Sequence, residues 1–131
     1  MSLILCTGIE PELLKTRKLI LEQAGHTVIP TTDQRELTAA CEKYCFDVAV
    51  IGQTIAAPMR KVIAELIRKH CPSAKILELY PPYEGRVVED ADSSLEVPAD
   101  IPLDLVERVE ELIQKTQSAG RAQEIESPQR G

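Results

Sequence analysis

The sequence predicts one α/β domain in which a five-stranded parallel sheet is wrapped by four or five helices. Three observations predict it. Five short apolar runs alternate with segments of helical period. The run after Asp47, Val48-Ala49-Val50-Ile51, is continuously apolar, as suits a central strand covered on both faces. The chain has 131 residues, 44% apolar and 27% charged, a globular composition with room for one core and not comfortably two.

Taken in order, the expected strands are Leu3–Cys6, Thr27–Ile29, Val48–Ile51, Ile76–Leu79 and Leu95–Val97. Leu95-Glu96-Val97 is short and carries a charge, which suits an exposed edge. Between the first two runs, Leu13, Leu14, Arg17, Ile20, Leu21 and Ala24 form a stripe of helical spacing. Gly25 ends it, a residue that tolerates the left-handed cap. Asp33-Gln-Arg-Glu36 reads as a capping box opening a second helix that runs to about Cys45. Met59, Val62, Ile63, Leu66 and Ile67 repeat at i, i+3, i+4, i+7 and i+8, and Pro72 stops that helix. Pro102 pre-sets the first turn of a last helix with Leu105, Val106, Val109, Leu112 and Ile113 on its buried face. Residues 80–94 should hold a helix if the alternation were regular, but Pro81, Pro82 and Gly85 leave room for about two turns at most. The expected domain is residues 1–117. Residues 118–131 are polar and aperiodic and are expected to be a disordered tail.

Composition excludes several function classes. A net charge of −6 argues against electrostatic binding to nucleic acid or to an anionic membrane. One Phe, three Tyr and no Trp are too few for a base-stacking surface. No apolar run approaches the ~20 residues needed to span a bilayer. The opening Met1–Cys6 has no basic segment of the kind that starts a secretory signal. Four cysteines without metal-type spacing suit a reducing compartment, so a cytoplasmic domain is expected.

Glu10-Pro11-Glu12 follows the first strand and Gly25 closes the first helix, and the segments Phe46–Ile51, Arg68–Leu77 and Val97-Pro98 come after them in order. With these the chain resembles the receiver domain of two-component response regulators over residues 2 to about 116, its opening similar to the receiver type V-D-D-E-P-E. Phe46-Asp47-Val48-Ala49-Val50-Ile51 resembles the family's third strand. Arg68–Leu77 resembles the end of the third helix and the fourth strand, and Val97-Pro98 the junction after the fifth. The resemblance implies the flavodoxin-like doubly wound fold, strand order 2-1-3-4-5.

It also assigns the family's chemistry to positions. A receiver accepts phosphoryl on an Asp at the end of the third strand, and an acidic pair at the end of the first holds Mg²⁺. The acceptor position falls on Gly52. The acidic pair falls on Gly8 and Ile9, or on Thr7 and Gly8 in a shifted register. The Thr or Ser of the fourth strand falls on Leu79 or Tyr80, the Lys before Pro on Val97 and the aromatic switch on Ser94. Every chemical position is lost while the frame is kept, which implies a pseudo-receiver without the phospho-acceptor. Glu10 alone does not make a Mg²⁺ site. No catalytic residue, metal or cofactor is expected, and the chain is not expected to be an enzyme.

Other features have ordinary explanations. Cys41 and Cys45 fall on one helix face and suit a core. His26 suits packing, and two histidines give no Ser/His/Asp set. Thr7-Gly8 has one glycine and is followed by two acids, Glu10 and Glu12, so it does not suit phosphate or flavin. Residues 84–100 carry six acids against Arg86, a solvated loop rather than a calcium loop. In receivers the fourth helix, fifth strand and fifth helix serve partners and dimers. Here that face offers Tyr80, Tyr83, Arg86 and Glu96. The expected function is a stand-alone, phosphorylation-independent interaction module in bacterial signalling, with a signalling protein as partner and a homodimer allowed. The alternative is a small-ligand sensor using the crevice at the carboxyl ends of the strands, lined by Thr7, Gly8, Gly52, Gln53 and Tyr80.

Overall fold

A computed structural model of the chain describes residues 2–97 and 103–114. The elements are β1 (Leu3–Thr7), α1 (Pro11–Gln23), β2 (Thr27–Thr31), α2 (Gln34–Lys43), β3 (Val48–Ile51), α3 (Ala57–His70), β4 (Lys75–Tyr80) and β5 (Ser93–Glu96). Residues 103–114 form a further helix, α4. All strand pairs are parallel and the order is β2-β1-β3-β4-β5. This is the flavodoxin-like fold expected from the sequence. The expected start of α4 at Pro102 and the expected polar tail at 118–131 lie outside the described residues.

Strand alternation divides the core into two layers. Leu5, Ala49, Ile51 and Ile76 face α2 and α3 with Leu37, Ile63 and Ile67. Ile4, Cys6, Val48, Val50, Leu77 and Leu79 face the other way, onto Leu14 and Leu21 of α1 and Val109 and Leu112 of α4. Both faces of β3 are therefore covered, which is why its sequence is apolar without a break. Among the described residues, no helix is long and apolar enough to cross a membrane.

Helix ends follow local chemistry. Gly25 takes φ +98°, His26 N donates to Leu21 O at 3.2 Å and Gly25 N to Glu22 O at 3.0 Å, the bond pair of a Schellman cap. At α2, Asp33 Oδ1 accepts from Glu36 N at 2.8 Å. The Glu36 carboxylate turns back to Thr32 N at 2.6 Å and Thr32 Oγ1 at 2.8 Å, one residue earlier than the ordinary capping box. The helix stops at Lys43, so Cys45 lies beyond it and is exposed, correcting its expected core role.

Two further expectations are corrected. Strand β5 begins at Ser93 rather than Leu95, because Asp92 Oδ2 accepts from Ile76 N at 2.7 Å and aligns the chain earlier. On α3, Met59 and Val62 are each 40% exposed, whereas Arg60 and Ala64 are buried with Ile63 and Ile67. The apolar stripe is real, but its buried face is rotated toward Arg60. That rotation is tolerated because the Arg60 guanidinium is fully paired. Nε donates to Glu78 Oε2 at 3.1 Å, Nη1 to Ile55 O at 2.6 Å and Nη2 to Glu84 Oε1 at 2.5 Å.

The slot between β4 and β5 holds no helix. Residues 81–92 run as turns and irregular chain, with Gly85 at φ +74°. Glu78, buried in the middle of β4, organises this segment by accepting from Val87 N at 2.8 Å and Val88 N at 3.0 Å. Arg68 Nη2 donates to Asp90 O at 2.6 Å. The buried Arg60–Glu78 pair, these three hydrogen bonds and the buried Val88 side chain thus replace the packing that a helix would supply.

Candidate functional site at the carboxyl ends of the strands

In doubly wound sheets the crevice opens where the strand order reverses, here between β1 and β3. Gly52 lies at that point, immediately after β3, and is buried. Its N–H donates to Thr7 O at 2.9 Å, tying it to the end of β1. A Cβ at position 52 would stand 3.0 Å from Arg17 Nη1 and 3.1 Å from Thr7 O, so the position is closed on two sides.

Arg17 reaches this point from α1 and is only 7% exposed. Its Nη2 donates to Gln53 Oε1, which fixes the guanidinium beside Gly52. Burial pushes its pKa below the ordinary value, while Cys6 and the Glu10 carboxylate act in the opposite sense. Burial pushes the Cys6 thiol up to about 12, with Arg17 opposing. A buried cation rather than a carboxylate therefore stands beside Gly52.

The other positions singled out by sequence fall as follows. Gly8 N donates to Thr31 O at 3.1 Å, and a Cβ there would meet only ordinary contact with Leu14. Ile9 is 59% exposed, and Glu10 is the exposed N-cap residue of α1, without a side-chain capping bond. Leu79 is buried against the α1 and α4 layer. Ser94 sits opposite Glu78 in the β4–β5 register, and its carbonyl accepts from Arg108 Nη1 at 2.8 Å. Val97 is buried, its N–H donating to Tyr80 O at 2.9 Å. Among the described residues, no cluster of three His, Cys, Asp or Glu could hold a metal ion.

The four residues of the expected interaction face are only partly brought together. Tyr80 and Glu96 are register partners at the ends of β4 and β5. Tyr83 is 88% exposed on the β4–β5 segment, and Arg86 is exposed further along it. An open depression of about 720 Å³ is lined by Ile9, Gln53, Pro82, Tyr83, Glu84 and Val97 among others. Tyr83 belongs to it, whereas Tyr80, Arg86 and Glu96 do not. The five-residue crevice expected for a small ligand is also not one cavity. Thr7 and Gly8 line a crevice facing α2 and α3, Gln53 lines the depression, Tyr80 lines neither, and Gly52 is buried under Arg17.

Sequence reasoning missed Arg17, Arg60 and Glu78 as organising residues. Two of them carried a signal: Arg17 stands in the apolar stripe of α1, and Glu78 interrupts the apolar run of β4. A charge in such a place is buried with a partner or is not buried at all. Among the remaining candidates, Cys41 is buried and hydrogen-bonded to Cys71, and burial first, then that bond, pushes it up to about 12. His26 Nε2 lies 3.4 Å from Glu110 Oε2 without hydrogen-bond geometry.

A scan against family models finds no match, and a search of curated proteins finds no significant match. Solved structures do match. A CheY-like response regulator receiver domain protein from Methanospirillum hungatei JF-1 superposes with a TM-score of 0.79 at 22% identity, over 91% of this chain and 98% of that one. A response regulator receiver modulated diguanylate cyclase from Pelobacter carbinolicus gives 0.76 at 17% identity, over 92% and 99%. The structure of histidine kinase ThkA in complex with response regulator protein TrrA gives 0.73 at 22% identity, over 86% and 99%. The chain has the receiver fold.

Proposed function

We propose that this chain is a pseudo-receiver: a non-enzymatic, cytoplasmic module of a two-component-type signalling system that binds a signalling protein without being phosphorylated. The observation that carries the reading is Gly52. It occupies the end of β3, where a receiver's acceptor Asp would stand, and a Cβ there would press on Arg17 Nη1 at 3.0 Å and the Thr7 carbonyl at 3.1 Å. In-line phosphoryl transfer needs a nucleophilic carboxylate and a metal clamp to neutralise charge. Gly8 and Ile9 supply no metal ligand from their side chains, and the Arg17 cation beside Gly52 repels a divalent ion.

A fixed binding surface suits a module that does not switch by phosphorylation. The depression at the carboxyl ends offers Ile9 and Tyr83, exposed by 59% and 88%, beside Pro82. Aromatic and aliphatic side chains of this kind contribute most at interface centres. The likeness to a response regulator seen with a histidine kinase supports a signalling protein as partner.

The test is a binding comparison with the full chain immobilised as bait. A captured signalling protein should be lost by about tenfold or more with Tyr83→Ala and Ile9→Glu, as expected for central interface residues. Capture should be the same whether or not the bait has been incubated with acetyl phosphate and Mg²⁺. Both side chains are exposed, so folding is retained. Capture that depends on acetyl phosphate, or that ignores both substitutions, contradicts the proposal.

A further inference from the structure

The crevice that Thr7 and Gly8 line adjoins the depression carrying Tyr83, sharing Ile9 and Ile55 with it, but its chemistry is different. It has a volume of about 210 Å³ and lies between the ends of β1 and β2, the start of α2 and the first half of α3. Its walls are Ile9, Ile55, Met59 and Ile63, and Thr7 forms part of the floor. An apolar cavity of roughly 150 Å³ is known to be large enough for benzene, so this one accommodates a ring of that size or a six-carbon chain.

We propose that this crevice is a binding site for a small, uncharged, mainly apolar molecule with one hydrogen-bonding group. Four observations support it, none of which depends on the pseudo-receiver reading. First, the rim is held open by apolar side chains that do not pack away: Ile9 is 59% exposed and Met59 40%. Second, Met59 is oriented, since Gln34 Nε2 donates to its Sδ at 3.1 Å across the mouth. A thioether at such a place adapts to ligands of different outline.

Third, among the described residues the only charged one lining the crevice is Asp33, and its carboxylate caps α2 through Glu36 N. An anion finds no cation there and meets the Asp33 charge. A cation would have to desolvate against Ile55, Ile63 and Met59. Fourth, a buried hydroxyl lies unpaired on the strand beside Thr7. Thr31 is 2% exposed and its Oγ1 has no hydrogen-bond partner among the described residues. It is the register partner of Thr7, so the two side chains project to the same side of the sheet, the side that faces α2 and α3. Buried hydroxyls are ordinarily paired, and a ligand hydroxyl or amide at the floor would bring a polar group to this pair of threonines.

The test uses 1-hexanol as the uncharged probe, with hexanoate and hexylammonium as charged counterparts of the same chain length, titrated into the ¹⁵N-labelled full chain. The expected result is saturable shifts of backbone amides confined to residues 7–9, 31–34 and 55–63 with hexanol, and binding about tenfold weaker for both charged probes. Met59→Trp should fill the crevice and abolish the hexanol shifts while the rest of the spectrum is retained. Ile9→Trp, on the opposite wall, is the second filling variant. Shifts that do not saturate, equal binding of hexanoate or hexylammonium, or hexanol binding that survives both variants would overturn the proposal.

Discussion

Arg60→Ala is expected to cost about 3–5 kcal/mol of stability, read as a fall in the urea midpoint, because it leaves the Glu78 carboxylate buried without its cation. Both partners are fully buried, and Glu78 also holds Val87 N and Val88 N. Losing Arg60 therefore releases the segment that carries Tyr83 as well as destabilising the core. The double variant Arg60→Met with Glu78→Leu should recover part of the loss, since removing both charges avoids the uncompensated ion. It will not recover all, because the two amides lose their acceptor. Glu84→Ala should cost less than about 1 kcal/mol, since that carboxylate is one-third exposed and solvent screens it. A cost below about 1 kcal/mol for Arg60→Ala itself would contradict the buried-pair account.

Stability should fall on going from neutral to alkaline pH, and two buried thiols set much of that fall. Burial pushes Cys6 from 9.0 up to about 12, and burial together with the Cys71 hydrogen bond does the same to Cys41. Above about pH 9 the unfolded chain releases these protons while the folded chain keeps them. The unfolded state then binds fewer protons, so stability decreases as pH rises until the folded thiols ionise as well. One unit above 9.0 the loss is about 1 kcal/mol per thiol, or about 2–3 kcal/mol for the two. Urea midpoints at about pH 7 and about pH 10 check this. The drop should be smaller by that amount in Cys6→Ala/Cys41→Ala, whatever that variant's stability at neutral pH. An equal drop in the variant and the natural sequence would contradict the burial of the two thiols.

Most of the framework could be read from the sequence because local chemistry and periodicity determine it. The uninterrupted Val48–Ile51 run gave β3 at its observed bounds, Gly25 closed α1, Asp33 opened α2, and Leu105, Val109, Leu112 and Ile113 are the buried face of α4. Periodicity gives a stripe but not its rotation against the sheet. On α3 the buried face includes Arg60 because Glu78, 18 residues away, is there to receive it, a pairing that no local pattern encodes. Cys45 fell outside the core because α2 ends at Lys43, two residues before the expected end.

At the crevice, the position of Gly52 was legible from its place after β3. What fills the space above it was not. Arg17 lies 35 positions earlier on another element, and only the folded α1 brings its guanidinium to Gly52 and Gln53. The ligand crevice expected from Thr7, Gly8, Gly52, Gln53 and Tyr80 mixed residues that the sheet and α1 separate. Thr7 and Gly8 close β1 on the side of α2, Gln53 follows β3 into the depression, and Tyr80 ends β4 beyond both hollows.

The central claim is that Gly52, closed by Arg17 and the Thr7 carbonyl, leaves no acceptor for phosphoryl transfer. Intact mass measured after incubation with acetyl phosphate and Mg²⁺, beside a conventional receiver domain as positive control, tests it most directly. The account predicts no phosphoryl adduct on this chain under conditions that modify the control. A stable adduct would contradict it, and mapping the modified residue would identify which side chain had taken the acceptor role.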